Sequence, residues 1–538
     1  MKSYKRLKDP IYGYVNIPVQ YMTDIIDTAC FQRLRRIIQT SYSPLYSSAV
    51  HNRFVHSIGV YHLGEIAAGQ LTQEIVGKFS IEPSQAEKWK QIFLLACLLH
   101  DVGHAPFSHT GEAFYLDDKK DYDALHQELR RCVNDEKFAQ DVPEEKTAAA
   151  APHEIMSAIV GLETFRGFFH DSEERSLFAR CITGYEYKGS SSEEKIQNCY
   201  ISLLNSKIID VDKLDYLIRD AYITGFDTVN IDYERLLTAL TIVEEDGTYE
   251  LGYYKSAVSV IENVVYAHDS ERKWIQNHPI VLYESYLLQH IIQHLCQKIE
   301  TDGMQLFSAK SLSAEGQTFE NNLRIRLMCD DDIIYLMKNV YPNEMSEEYF
   351  ERRLRRHPIW KSEAEYTAFF LEEIGGGRAL ESFENAMDST ASYLMKSTDS
   401  WVIDEEMVTK LEREVQEIES LELDAASKKA QKSTKNQILK VVKILKTYAE
   451  EKNIECSFVL LKTSQFASGF GKPDFSKTRI VFSAAQGDFP AKVNVVSSLE
   501  AKERYREKFY YLFYKRPEGE QVELDNLELC KRFLKEFI

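Results

Sequence analysis

Ile92-Phe-Leu-Leu-Ala-Cys-Leu-Leu99-His100-Asp101-Val-Gly-His104-Ala-Pro-Phe-Ser-His109-Thr-Gly-Glu112 decides how the rest of the chain reads. Residues 86–100 become apolar nearly all round towards their end, the pattern of a buried central helix. That helix ends in the ionisable pair His100-Asp101. Such a pair is costly to bury unless something compensates for it, and a cation does so well. A mixed imidazole and carboxylate set suits Mn, Fe, Zn, Ni or Mg without choosing among them. The Gly/Pro turn that follows adds His104, His109 and a carboxylate, Glu112.

Two further stretches bring matching chemistry. In His51-Asn-Arg-Phe-Val-His56-Ser-Ile-Gly59, Arg53 precedes His56 by three residues. On a helix that spacing puts a guanidinium fork and a metal-binding imidazole on one face. In Asp210-Val-Asp-Lys-Leu-Asp-Tyr-Leu-Ile-Arg-Asp220, four-residue steps align Asp212, Tyr216 and Asp220 beside Lys213.

Around these motifs the first half is helical. Residues 21–39 read as one amphipathic helix or two short ones, and 206–222 as another. Asp118–Lys146 is a charged surface excursion with some helix, and Thr147–Ala151 a small low-complexity patch. Residues 320–372 look helical again, with Arg352, Arg353, Arg355 and Arg356 as a solvated basic face, and Gly375–Gly377 as a hinge. An acidic helix over 403–422 leads into the lysine-rich stretch 428–446, read as a solvated face. From Cys456 the period changes to that of strands at 456–461 and 478–482, and a helical pattern returns around Glu500–Phe513. His62, His170, His290 and His294 read as hydrogen-bonded core histidines. The expected architecture is mainly α: a multi-helix core (1–300), a helical extension (301–454) and a small α+β C-terminal lobe (455–538).

Length and composition bound the function. The 538 residues are ample for a large core, and 44% hydrophobic with 28% charged residues excludes a disordered or fibrous chain. A net charge of −19 disfavours a sequence-blind nucleic-acid coat, although a local basic pocket can still hold phosphates. Nine scattered cysteines with no C-x-x-C argue against a disulfide scaffold or thiolate zinc site and suit a reducing compartment. No uncharged stretch approaches the roughly 18 residues of a membrane span. The start lacks the apolar run of a signal peptide. A soluble cytoplasmic protein is expected.

With these motifs in order, the chain resembles the HD-domain deoxynucleoside triphosphate triphosphohydrolases, which include the bacterial dGTPases and the vertebrate SAM-and-HD-domain enzyme. The resemblance covers roughly the first 300 residues well and continues more weakly into the tail at Phe458–Thr463. It rests on Asp9–Gly13, Ile26–Thr28 through Phe31–Arg35, Asn52–Phe54 with His56-Ser57, and the motifs above. The H-D-x-G-H-x-P-F-S-H run points away from the (p)ppGpp hydrolases. The SAM domain has no counterpart, since the catalytic resemblance begins near residue 5.

The resemblance implies His56, His100, Asp101 and Asp212 as ligands of a divalent metal, with Mg accompanying the nucleotide phosphates. It implies His104, Glu112 and His153 as the catalytic histidine–carboxylate–histidine group, with Glu112 in place of the vertebrate aspartate. Arg53, Lys213 and Tyr216 match phosphate-binding positions, His109 a substrate contact, and Gln39 and Asp220 the groups that hold the deoxyribose 3′-hydroxyl. Asp27, Gln32 and Arg35 match an activating guanine-nucleotide site at a subunit interface, against a structural role in their helix; Lys8 stands where that site has a neutral residue. Thr40 and Ser41-Tyr-Ser-Pro replace the small apolar and glycine-rich run that lines the sugar pocket. The arginine that grips the terminal phosphate has no clear match, falling near His268 or Arg272, and Gln276 replaces the tyrosine that excludes a 2′-hydroxyl. The implied reaction is hydrolysis of a dNTP to nucleoside and triphosphate by a homo-oligomer, a dimer, tetramer or hexamer. The residues themselves support metal-assisted phosphoester hydrolysis. An HD phosphodiesterase or nuclease on single-stranded nucleic acid, and a nucleotide-binding regulator, are the competing readings.

Overall fold

The computed structural model describes residues 3–112, 119–143, 150–189, 191–206, 209–226, 230–245, 247–320, 322–371, 378–397, 400–420, 424–463, 478–484, 487–493, 509–516, 524 and 526–537. The chain is mainly α and divides into two compact units. One comprises residues 1–275, 295–336 and 467–504, the other 276–294, 337–466 and 505–538.

The first unit is built on α1 (Arg53–Lys78) and α2 (Pro83–Leu99). The Asn52 side chain accepts the Val55 N–H at 3.3 Å and so starts α1; Pro83 starts α2, where its missing N–H costs nothing. Every residue from Ile92 to Leu99 is buried, as the apolar run requires. The two helices pack closely at Gly64, where a Cβ would lie 2.7 Å from Cys97 Sγ. Against them lie α3 (Pro152–Thr164), the helices Ser172–Thr183 and Ser192–Leu204, and α4 (Val211–Thr224). Asp210 caps α4 by accepting the Lys213 N–H at 2.7 Å, and Gly225 ends it at φ +69°. Residues 21–39 form short π, α and 3-10 turns in succession.

Strand pairing joins segments far apart in the chain. Thr478–Ala484 runs parallel to Thr248–Tyr254, with Gly252 opposite Arg479, so it extends a sheet of the first unit. Arg479 Nε bonds Glu250 at 2.7 Å across that pairing. Phe458–Lys462 instead pairs antiparallel with Tyr510–Tyr514 in the second unit. The helical pattern expected around Glu500–Phe513 gives way there: Tyr510-Tyr-Leu-Phe-Tyr514 is a strand buried along its whole length, the habit of aromatic-rich segments covered on both faces. Residues 501–508 lie outside the described residues, as do Gly375–Gly377 and most of Thr147–Ala151.

In the second unit Trp360, Tyr366, Phe370, Phe383 and Phe533 form an aromatic core, with Trp360 Nε1 donating to the Tyr510 carbonyl at 2.7 Å. The basic cluster is split: Arg352 and Arg353 are exposed, whereas Arg355 pairs with Glu284, and buried Arg356 pairs with Glu348 and donates to Ser457. The lysine-rich helix Ala425–Lys452 is an ion-paired surface face, Lys443 meeting Glu412 at 2.7 Å. His290 is buried and His62 and His294 half-buried, but His170 is exposed and is no core histidine. All nine cysteines are free, and no helix among the described residues is long and apolar enough to cross a membrane.

Candidate metal centre and active site

Local geometry forces the His-Asp motif into shape. Gly103 lies so close to α3 that a Cβ would sit 2.3 Å from the Ser157 nitrogen, and its N–H donates to Ser157 Oγ at 2.9 Å. Buried Arg33 clamps the same turn, donating to the carbonyls of Val102 at 2.6 Å and His104 at 3.0 Å. This pins His100 and Asp101 at the buried end of α2, facing the first turns of α1 and α4.

His56, His100, Asp101 and Asp212 converge there. His56 Nε2 lies 2.9 Å from Asp212 Oδ1, 3.3 Å from His100 Nε2 and 3.6 Å from Asp101 Oδ2. His100 Nε2 is 3.4 Å from Asp101 Oδ1 and 3.6 Å from Asp212 Oδ1. Each imidazole has its other nitrogen tied. His56 Nδ1 donates to Asp215 Oδ2 at 2.7 Å, and His100 Nδ1 to the Cys97 carbonyl at 2.9 Å, so both rings present Nε2 inward. Burial pulls the His56 ring down, yet hydrogen bonds to Asp212 and Asp215 push it up to about 10. Burial likewise opposes the charge on Asp101, and Arg53 with the neighbouring imidazoles outweighs it, holding the carboxyl well below its usual range. The cluster therefore demands positive charge, which protons or a divalent cation can supply. The ligand atoms of His56, His100 and Asp212 lie within 4.8 Å of one another, a set that fits such a cation, and Asp101 stands alongside, 3.4 Å from His100 and 3.6 Å from His56.

The support for His56 was not singled out by the sequence reading. Asp215 is fully buried and also accepts Arg219 Nε at 2.9 Å, Arg219 Nη2 at 3.0 Å and the Tyr12 hydroxyl at 2.8 Å. Arg219 in turn reaches Asp9 at 3.0 Å. Gly59 leaves the room for this network, since a Cβ there would lie 1.9 Å from Asp215 Oδ1. The signal was present as an acid three residues after Asp212 with an arginine four residues further on.

Beside the metal centre stands a second group. Glu112 accepts His153 Nδ1 at 2.6 Å and His109 Nδ1 at 2.8 Å. The His104 ring stacks on His153 with centroids 4.2 Å apart, and His104 Nε2 is 3.2 Å from Asp101 Oδ1. Burial, then Arg53 and His153, hold His104 well below the usual imidazole range. Burial also opposes charge on His153, but Glu112 lifts it to about 9. The two stacked imidazoles are thus pushed in opposite directions by their surroundings.

Arg53 joins both groups, donating to Asp101 Oδ2 at 2.8 Å and Ser108 Oγ at 2.9 Å. Gln39 and Asp220 are buried and share His51: Gln39 N bonds the His51 carbonyl at 3.0 Å, and His51 Nε2 donates to Asp220 Oδ1 at 2.7 Å. Gln39 Oε1 has no partner among the described residues. Tyr216 is held neutral first by burial and then by the charges of Glu271, Asp212 and Asp220. Lys213 is turned back on its helix cap, with Nζ 2.5 Å from Asp210 Oδ2 and 2.7 Å from the Ser206 carbonyl. Asp27 and Arg35 are exposed and lie outside these clusters. Asp27 is 3.9 Å from Lys5, and Arg35 bonds Gln32 at 2.9 Å and covers the Phe54 ring.

The helical arrangement and its His-Asp cluster agree with what the comparisons find: residues 53–182 match the HD domain family. The chain is 26% identical over 340 residues to the uncharacterized protein MG461 of Mycoplasma genitalium, covering 61% of this chain and 70% of that protein. It is 31% identical over 252 residues to the deoxynucleoside triphosphate triphosphohydrolase SAMHD1 homolog of Dictyostelium discoideum, covering 45% of this chain but 41% of that relative's length. A solved hypothetical protein from Aquifex aeolicus shares the fold with a TM-score of 0.53 at 18% identity, over 99% of this chain and 100% of that one.

Proposed function

We propose that the protein is a metal-dependent deoxynucleoside triphosphate triphosphohydrolase that releases nucleoside and inorganic triphosphate. The observation that carries this reading is the clustering of His56, His100 and Asp212, with Asp101 alongside, next to Arg53 and the stacked His104–His153 pair. A divalent cation bound by the four donors supplies a Lewis acid and acidified water. Arg53, oriented by Asp101 and Ser108, offers its guanidinium to phosphoryl oxygens. His153, kept protonated by Glu112, donates the proton that the 5′-oxygen needs when its bond to the α-phosphorus breaks, while neutral His104 packs against its face. Gln39 and Asp220 take the sugar hydroxyl. The 31% identity over 252 residues to the deoxynucleoside triphosphate triphosphohydrolase SAMHD1 homolog of Dictyostelium discoideum supports the choice of bond.

The test is incubation of Mn-, Fe-, Zn-, Ni- or Mg-loaded protein with each dNTP, each NTP and a short single-stranded DNA, with products separated by chromatography. Nucleoside plus triphosphate is the expected outcome. Pyrophosphate, monophosphate or cleaved DNA would replace this reading by a phosphodiesterase or nuclease.

A further inference from the structure

We propose that Asp330 is a positioning residue of this site, one buried carboxylate that fixes the two backbone segments from which the substrate-facing groups project. The proposal rests on the triphosphohydrolase reading above and assigns a role to a residue far from every motif.

Asp330 Oδ2 accepts the Ile38 N–H at 2.8 Å and Oδ1 accepts the Phe107 N–H at 2.7 Å; the residue is buried. Ile38 immediately precedes Gln39 and is bridged to Asn52, the cap of α1. The Arg53 N–H bonds the Ile37 carbonyl at 3.0 Å, so the same short segment sets where both Gln39 and Arg53 begin. Phe107 and Ser108 are consecutive left-handed residues, φ +59° and +54°, a conformation that non-glycine residues keep only when their surroundings hold it. The turn points Ser108 Oγ at the Ile38 carbonyl and receives Arg53 Nε. It also orients His109 and Glu112, whose helix begins one residue later.

The carboxylate is itself held. Two residues earlier, the Met328 carbonyl accepts Arg33 Nη1 at 2.8 Å, and Arg33 also bonds the carbonyls of Val102 and His104. Residues 328–330 thus form a strut between the segment Ile37–Gln39 and the His-Asp turn. An aspartate suits the place because two separate acceptor oxygens meet two backbone donors. Asp331, exposed and 3.6 Å from Arg36, has no such role and serves as a control.

Asp330→Asn tests this by setting an amide NH₂ against one of the two backbone donors. Loss of one accepted backbone hydrogen bond and a newly unpaired buried donor predict a rise in KM for the dNTP of about 10-fold, with kcat changed far less and metal content unchanged. Hydrogen exchange of the segments around Ile38 and Phe107 speeds up while the interior of α1 stays protected, and Asp331→Asn leaves both readouts as in the parent. An Asp330→Asn protein with a lower melting temperature but unchanged KM would overturn the proposal. If Asp330→Asn does not fold, Asp330→Glu is read in its place, with an intermediate KM expected and an unchanged KM again fatal. A parent protein inactive on every dNTP sinks the functional reading, whereas an active parent with an unaffected variant sinks the strut alone.

Discussion

The candidate metal-binding cluster and the neighbouring histidine group are held in different ways. In the first, the His56 and Asp101 side chains are 1% and 2% exposed, Asp212 reaches solvent at 36%, and each imidazole has its outer nitrogen bound to a fixed acceptor. In the second, one carboxylate is shared by two histidines, and the His109 side chain is 67% exposed. An enclosed set with its orientation locked suits a cation that must be held in one geometry. A half-open set with one shared anion suits groups that exchange protons with a substrate. The two should therefore fail differently.

The largest effect belongs to the enclosed set. Asp101→Ala removes a donor and also Arg53's partner, so turnover should fall by more than ~10³-fold together with bound metal, read by steady-state rates and elemental analysis. Unchanged turnover would end the comparison. His153→Ala sharpens it, because kcat should drop by about 10²-fold while metal content stays whole. Loss of metal in that variant would show the two groups to be one. Asp215→Asn probes the locked orientation. It leaves the four donors in place but loosens His56, so metal affinity should weaken by roughly 10- to 100-fold in a competition titration, with kcat near normal at saturating metal.

The same contrast governs what was legible in the sequence. His100 and Asp101 could be read because burial of an ionisable pair at the end of an apolar helix is itself a physical anomaly, His56 because it shares a helix face with Arg53, and Asp212 because four-residue steps mark one helix face, while their joint role as ligands came from the resemblance. Glu112 with His153 rested on resemblance, since their 2.6 Å contact joins segments on either side of a charged excursion. Asp215 stands in the same stretch as Asp212, but its spacing alone does not say that its side chain turns inward to His56. Asp330 had no local signal at all: its worth comes from two N–H groups contributed by distant turns. The sheet order was hidden for a similar reason. A strand at Thr478–Ala484 is recognisable from its residues, but its partner, Thr248–Tyr254, is a matter of long-range pairing.

The smallest expected effect is one of stability, and its sign follows from the His153–Glu112 pair. Burial resists the charge on His153, but Glu112 raises it to about 9, above the unfolded value of ~6.5. The folded state therefore holds that proton more tightly, and the stabilisation is complete below ~6.5 and disappears as pH rises through about 9. Glu112 runs the other way: burial opposes its charge, His153 and His109 overcome this, and its carboxyl lies well below the usual range, so its share is present above ~4.3. The pair is thus worth most between ~4.3 and ~6.5. In chelator-treated protein, Glu112→Gln should melt a few degrees below the parent at pH 6, with the gap closing by pH 10. A gap that stays constant with pH would mean that the two side chains are held by packing alone, and that His153 does not arrive at the substrate carrying the proton assigned to it.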